Sequence, residues 1–321
     1  MSAAVSLLHE GVYLDAHLAP FRPWLDRDDV TEILVNQPGE VWIESSQQAG
    51  MTRTLAPEID DRLLERLAQQ IARASHQGIN RARPLLAATL PHGARVQIVA
   101  PPATRAHWAL AIRQHRIPDV PLSAYDVPAL RHAAQQGWRH IDPAQAPIAF
   151  LEAAIAARAT ILVSGGTSSG KTTFLNALLR HIPAQERIIL VEDTPEIRLQ
   201  HANSLGLIAV KGEMGETQLS TDDLLQASLR MRPDRIVLGE LRGAESVSFL
   251  RAINTGHPGS FSTIHANSPA GALEQLALMV MQTGLGLGRA ETIDYARSVI
   301  DIIVQLDRRD GARFISAIEI V

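Results

Sequence analysis

The sequence predicts an α/β protein in which a parallel-sheet domain, built around a phosphate-binding loop, follows a smaller α+β module. Three observations carry this. After residue 146, short apolar runs alternate with helical patterns, the order that gives a doubly wound parallel sheet. Gly165-Gly166-Thr167-Ser168-Ser169-Gly170-Lys171-Thr172 fits G-x-x-x-x-G-K-[ST] between a strand and a helix. All four tryptophans (Trp24, Trp42, Trp108, Trp138) fall before residue 140, which marks an N-terminal part of different texture.

The elements follow in order. GVYLDAHLAPFRPWL has apolar residues at helical spacing, and VTEILVN and EVWIES flank Gln37-Pro38-Gly39 as a hairpin. PEIDDRLLERLAQQIARAS puts Ile59, Leu63, Leu64, Leu67 and Ile71 on one face with acids at its start, an amphipathic helix. LLAATL, RVQIVA and WALAIR are short apolar runs, the first two joined by the turn Pro91-His92-Gly93-Ala94, so the module has a mainly antiparallel sheet. Arg116–Ser123, with Pro118 and Pro121, reads as the linker. The expected domains are 1–117, a linker with a helix leading into the core over 118–146, and the phosphate-loop domain over 147–321.

In that last domain ATILVS, RIILVED, RIVLGE and SFSTIH read as strands. KTTFLNALLRHI, STDDLLQASLRM, AESVSFLRAINTG and SPAGALEQLALMVMQT read as helices, the second capped by Ser220 or Thr221 and the third ended by Gly256. Asp310-Gly311 between two apolar runs closes the chain with a hairpin.

Composition narrows the function. With 30 basic residues against 34 acidic, the net charge of −4 argues against a protein that coats nucleic acid, and few aromatics are present to stack bases. The absence of cysteine removes disulfides, thiol nucleophiles and cysteine-ligated zinc. The first residues lack a basic segment followed by a long apolar core, and the most apolar stretch is broken by Glu152 and Arg158. A cytoplasmic protein with at most peripheral membrane contact is expected.

Chemistry concentrates after four strands. Glycines in 165–172 let successive backbone N–H groups turn toward phosphate oxygens, and the helix N-terminus adds partial positive charge. Gly165, Gly166, Thr167, Ser168, Ser169, Gly170, Lys171, Thr172 and Thr173 are the candidate nucleotide contacts, with Lys171 on the β- and γ-phosphates and the Thr172 hydroxyl on Mg²⁺. In an open parallel sheet, ligands sit beyond the carboxyl ends of the strands. Glu240 ends RIVLGE, where it can orient or deprotonate water or hold Mg²⁺ through water; the alternative is an acid capping the next helix. Asp234 lies at the wrong end of that strand. Glu192, with Asp193, either joins the metal and water shell or fixes the turn before Pro195. His265 ends SFSTIH and can donate to a γ-phosphate or to the water-positioning carboxylate. His257, in Gly-His-Pro-Gly, either contacts nucleotide or only shapes its turn.

GGTSSGKT, EDTPE, LGELRGAES and TGHPGSFSTIHANS, in this order, resemble the secretion-ATPase superfamily. With VTEILVNQPGEVWIE in a short N-terminal module, the chain is similar to the traffic ATPases of type IV secretion and conjugation systems. The resemblance implies a RecA-like nucleotide domain, ATP and Mg²⁺ as ligands, and a homohexameric ring. It also implies docking on the cytoplasmic side of an inner-membrane secretion machine, with that machine's other ATPases and scaffold subunits as partners. It assigns phosphate contacts to Arg95 in GARVQIVAPP and Arg113 in LAIRQ, for which a bidentate guanidinium is suited. Relatives often carry Gly where Ser168 stands, a change that is harmless if the Ser168 φ is negative, and Ser where Ala111 stands. Three other readings stay open: a type IV pilus or type II secretion motor, a nucleic-acid translocase or helicase, and a nucleotide-gated scaffold.

Overall fold

The structure, a computed structural model, describes residues 13–116, 137–210 and 217–321. The linker around Pro118 and Pro121 lies outside them. Its contacts divide the described chain into two units. One holds the residues before Pro118 together with Leu205–Arg232, and the other holds those up to Ser204 and from Pro233 to Val321.

The first unit begins with helical turns over 13–25 that bury Phe21 and Trp24. Then come β1 (Val30–Val35), β2 (Gly39–Ser45), β3 (Gln48–Ala56), α1 (Asp61–Ala74), β4 (Leu85–Thr89), β5 (Arg95–Val99) and β6 (Ala109–Arg113). β1 and β2 pair antiparallel around Gln37-Pro38-Gly39, with Gly39 at φ +84°. The strand order is β3-β2-β1-β6-β5-β4. Asp60 caps α1 by accepting from the Leu63 N–H at 2.7 Å, and the helix buries Leu64, Leu67 and Ile71 as its spacing predicts. These join Phe21, Ile33 and Ile59 in one apolar core.

The second unit contains α2 (Pro147–Ala156), β7 (Ile161–Gly165), α3 (Lys171–Leu179), β8 (Ile188–Glu192) and the start of β9 (Ser204–Ile208). β9 leads the chain into Leu205–Arg232, which carries α4 (Thr221–Ser228), and the chain returns through β10 (Arg235–Leu238). α5 (Glu245–Asn254), β11 (Phe261–Ile264), α6 (Pro269–Gln282), α7 (Arg289–Val299), β12 (Ile302–Arg309) and β13 (Ala312–Ile320) complete it. The sheet order is β13-β12-β7-β11-β10-β8-β9. β12, β7, β11, β10 and β8 are mutually parallel along that order. Strands β7, β8, β10 and β11 are buried throughout, as expected for parallel strands covered on both faces. β13 returns antiparallel through the Asp310-Gly311 turn, both residues at positive φ.

One boundary differs from the sequence expectation. The reading placed all of 147–321 in one domain, yet Leu205–Arg232 groups with the first unit. Long-range contacts with no local signature decide this. The Ile208 N–H donates to Ala103 O at 2.9 Å, the Thr217 hydroxyl donates to Arg81 O, and Arg232 pairs with Glu44 through its Nε at 3.0 Å. Ser220, not Thr221, caps α4, in a reciprocal capping box with Asp223.

Candidate active site

Because β7, β8, β10 and β11 are parallel, their carboxyl ends share one edge of the sheet. The loop 166–170, Glu192, Glu240 and His265 all leave from that edge. The loop's shape is dictated by close approach. A Cβ on Gly165 would come within 2.8 Å of the Leu306 carbonyl, and Gly170 takes φ +94° as α3 begins. Ser168 corrects the sequence expectation: its φ is +63°, the left-handed region that costs an L-residue about 1–2 kcal/mol. Glycine would relieve that cost, so the serine is not neutral here.

Lys171 is buried in the loop's mouth and donates to the carbonyls of Gly165 at 2.9 Å and Gly166 at 3.2 Å. Burial pushes its ammonium below the usual lysine range, and the nearby Glu240 charge pulls the other way. Its third contact is His265 Nδ1 at 3.2 Å. An ammonium has only donors, so Nδ1 accepts and the imidazole proton sits on Nε2. Nε2 faces Glu240 Oε1 at 2.7 Å. The two atoms are close but poorly aligned, so this buried oxygen has no true hydrogen bond. Glu240 Oε2 accepts from Arg242 Nε at 2.6 Å, and this bond raises the Arg242 guanidinium above its usual value. Lys171, His265, Glu240 and Arg242 therefore form one continuous polar chain across the edge.

In the acidic box, Glu192 makes the contacts of the second reading given for it, the turn before Pro195. One Glu192 oxygen accepts from the N–H groups of Glu196 at 3.2 Å and Ile197 at 2.9 Å, which fixes the turn at Pro195. Glu196 is the acid that reaches the Thr172 hydroxyl, at 3.4 Å. Asp193 stands 4.0 Å from Arg242. The donor set fits a nucleotide: a glycine cradle that no side chain can fill, a buried lysine, and a buried Ser169 hydroxyl with no partner among the described residues. Thr172 and Glu196 are hard oxygen donors of the kind Mg²⁺ takes.

His257 is not brought to this site. It precedes β11, at the opposite edge, where Nδ1 meets Pro233 O at 3.0 Å and its carbonyl accepts from Ser260 Oγ at 2.7 Å. Asp234 lies at that edge too, accepting from the Arg187 N–H at 2.7 Å. Arg95 and Arg113 belong to the first unit and the loop to the second. They are direct cross-strand partners, and with Arg230 they line a cavity of about 310 Å³. Arg113 donates to the buried Glu32 at 2.5 Å. Sequence reasoning missed Arg230, Glu196 and Arg242. Arg242 carried a signal, two residues beyond Glu240 in the same loop, and Glu196 carried one as the last residue of EDTPE; Arg230 carried none.

A parallel sheet with a lysine-bearing phosphate loop after β7 and a carboxylate after β10 at the same edge defines a nucleotide-hydrolase class. The chain matches the family described as Type II/IV secretion system protein over residues 15–309, and it belongs to that family. It is 41% identical over 318 residues to the type IV secretion system protein PtlH homolog of Bordetella bronchiseptica, covering 93% of this chain and 91% of the relative. Against the type IV secretion system protein VirB11 of Bartonella henselae, identity is 34% over 324 residues, covering 92% and 89%. The crystal structure of the VirB11 ATPase from the Brucella suis type IV secretion system in complex with sulphate matches at TM-score 0.89 and 33% identity, covering 98% of this chain and 96% of that one. The protein is an ATP-hydrolysing secretion ATPase of the type IV kind. Among the described residues, no helix is long and apolar enough to cross a membrane.

Proposed function

We propose that the chain converts ATP hydrolysis into domain motion for type IV secretion or conjugative transfer, working as a homohexamer against the cytoplasmic face of an inner-membrane machine. The backbone of 165–173 holds the phosphates, and Lys171 turns from the loop carbonyls to the β- and γ-oxygens. Thr172 would hold Mg²⁺, with Glu240 able to reach it through water, and the ion would supply charge neutralisation on the phosphate oxygens. Glu240 Oε1, lacking an aligned donor, has the acceptor capacity to orient and deprotonate the attacking water. Glu192 holds the acidic turn in place.

His265 senses the γ-phosphate. It touches both Lys171 and Glu240, so drawing Lys171 toward phosphate changes the contact that reaches Glu240. Arg95 and Arg113 serve as phosphate contacts from the N-terminal unit, and Arg230 shares their cavity. Loss of γ-phosphate contacts then releases one arrangement for another.

The observation that supports this most is the convergence of Lys171, His265 and Glu240 at one sheet edge. Phosphate release by Lys171→Ala tests it: turnover falls to background, and near-normal turnover removes the site. Glu240→Gln in a secretion assay separates motor from scaffold. A motor fails to secrete, whereas a nucleotide-gated scaffold still works.

A further inference from the structure

The β12–β13 hairpin brings a residue to the outside of the phosphate loop that the mechanism above does not use. Arg313 Nε donates to the Ser168 carbonyl at 3.3 Å. Its stem lies over Gly170, where an added Cβ would come within 2.7 Å of Arg313 Cδ. The cross-strand partner of Arg313 is Arg308, another cation, so charge pairing within the hairpin does not hold it there.

The loop contact has a geometric consequence. A trans peptide is planar, with its C=O and N–H on opposite sides. A Ser168 carbonyl turned outward to Arg313 therefore turns the Ser169 N–H inward. That N–H points across the loop at Gly166 O, 3.3 Å away. Ser168 sustains this orientation at φ +63°, a conformation that glycine adopts freely and serine resists. Relaxation of Ser168 to negative φ, by rotation about its N–Cα bond, would swing the carbonyl away from Arg313 and carry the Ser169 N–H out of the cradle.

We propose that Arg313 is a positioning residue for nucleotide binding. Its grip on the Ser168 carbonyl holds the left-handed serine and keeps the Ser169 N–H turned into the loop. The inference rests on the reading of 165–172 as the phosphate site.

Binding of a fluorescent ADP with Mg²⁺ to the full chain tests it, in the parent and in Ser168→Gly. Arg313→Ala weakens binding about tenfold in the parent, the loss of one charge-assisted hydrogen bond. In the Ser168→Gly background the same change costs about threefold or less, because glycine needs no grip. Only the ratio within each background is compared. KM for ATP follows Kd in the parent series while kcat at saturation holds. Arg313→Met, which keeps the stem over Gly170 but has no donor, gives the same pattern and serves if the alanine variant does not fold. Equal losses in both backgrounds, or parental affinity in Arg313→Met, overturn the proposal. Lys171→Ala is measured alongside. If it binds ADP as the parent does, the phosphate-site reading fails, a result separate from that of the Arg313 cycle.

Discussion

The two edges of the second sheet carry charge in opposite ways. At the amino ends of the strands, Arg235 is fully buried and almost completely satisfied. It donates to Glu186 at 2.5 Å, Ile155 O at 2.7 Å and Gly259 O at 3.2 Å, and it lies 5.9 Å from the Phe261 ring centre. Arg158 adds a second cation to Glu186 at 3.3 Å, and Arg187 donates to Asn203 at 2.8 Å. At the carboxyl ends, among the described residues, Lys171 donates to loop carbonyls and one imidazole, Glu240 Oε1 lacks an aligned donor, and the Ser169 hydroxyl has no partner. Buried polar groups are normally paired. The first edge uses its charges to fix structure, and the second leaves capacity for a ligand. β11 shows the same contrast within a few residues: His257 shapes a turn at one end while His265 meets Lys171 and Glu240 at the other.

The sharpest way to break this contrast is to exchange what each edge loses. Glu240→Gln is expected to lower kcat by about 10²–10⁴-fold, the range for a general base, with the melting temperature unchanged or raised. A large loss of stability would mean that Glu240 is structural. Arg235→Ala is expected to cost about 3–5 kcal/mol in denaturant unfolding, because Glu186 then stays buried with a poorer partner. An effect below about 1 kcal/mol, as for an exposed pair, would undo the assignment of that edge to structure. The histidines sharpen the comparison inside one segment. His265→Ala should lower kcat by about 10²-fold, as removal of one aimed polar contact does, and leave unfolding alone. His257→Ala should cost about 1 kcal/mol of stability and leave kcat per folded molecule unchanged. The reverse pattern would exchange their roles.

Glu32, in the first unit, is an intermediate case with the smallest expected effect. Arg113 satisfies one oxygen, and the other is buried without a hydrogen-bond partner among the described residues. Burial pushes its carboxyl above the ordinary value of 4.5, and Arg113 offsets this in part. A raised acid favours the folded state while protonated. Its stabilisation is therefore present below 4.5 and lost as pH rises through the elevated value. Urea unfolding from about pH 4 to about pH 7 should move in favour of Glu32→Gln over the parent as pH rises. A difference that does not vary with pH would show that Arg113 fully compensates the burial.

Much of this was legible in the chain itself. The phosphate loop and Glu240 were readable because each follows a short Val/Ile/Leu run, and His265 because it ends the short run Ser260–Ile264; a parallel sheet sends such ends to one edge. The cap at Ser220 was legible because it sits one residue before its helix, where a short polar side chain meets free N–H groups. β3 and α7 gave little signal, because both are largely exposed and carry no clean apolar period.

By itself the sequence determined the local grammar: strand and helix order, the glycines of the loop, the turns and caps, and thus the class of chemistry. Those features depend on neighbours within a few residues, and backbone sterics and periodicity write them into the chain. Tertiary structure alone decided that Leu205–Arg232 joins the first unit and that Glu196 rather than Glu192 meets Thr172. It also decided that Ser168 is left-handed with Arg313 at its carbonyl. These depend on groups brought together by packing from distant parts of the chain, and no local pattern encodes which distant side chain will arrive.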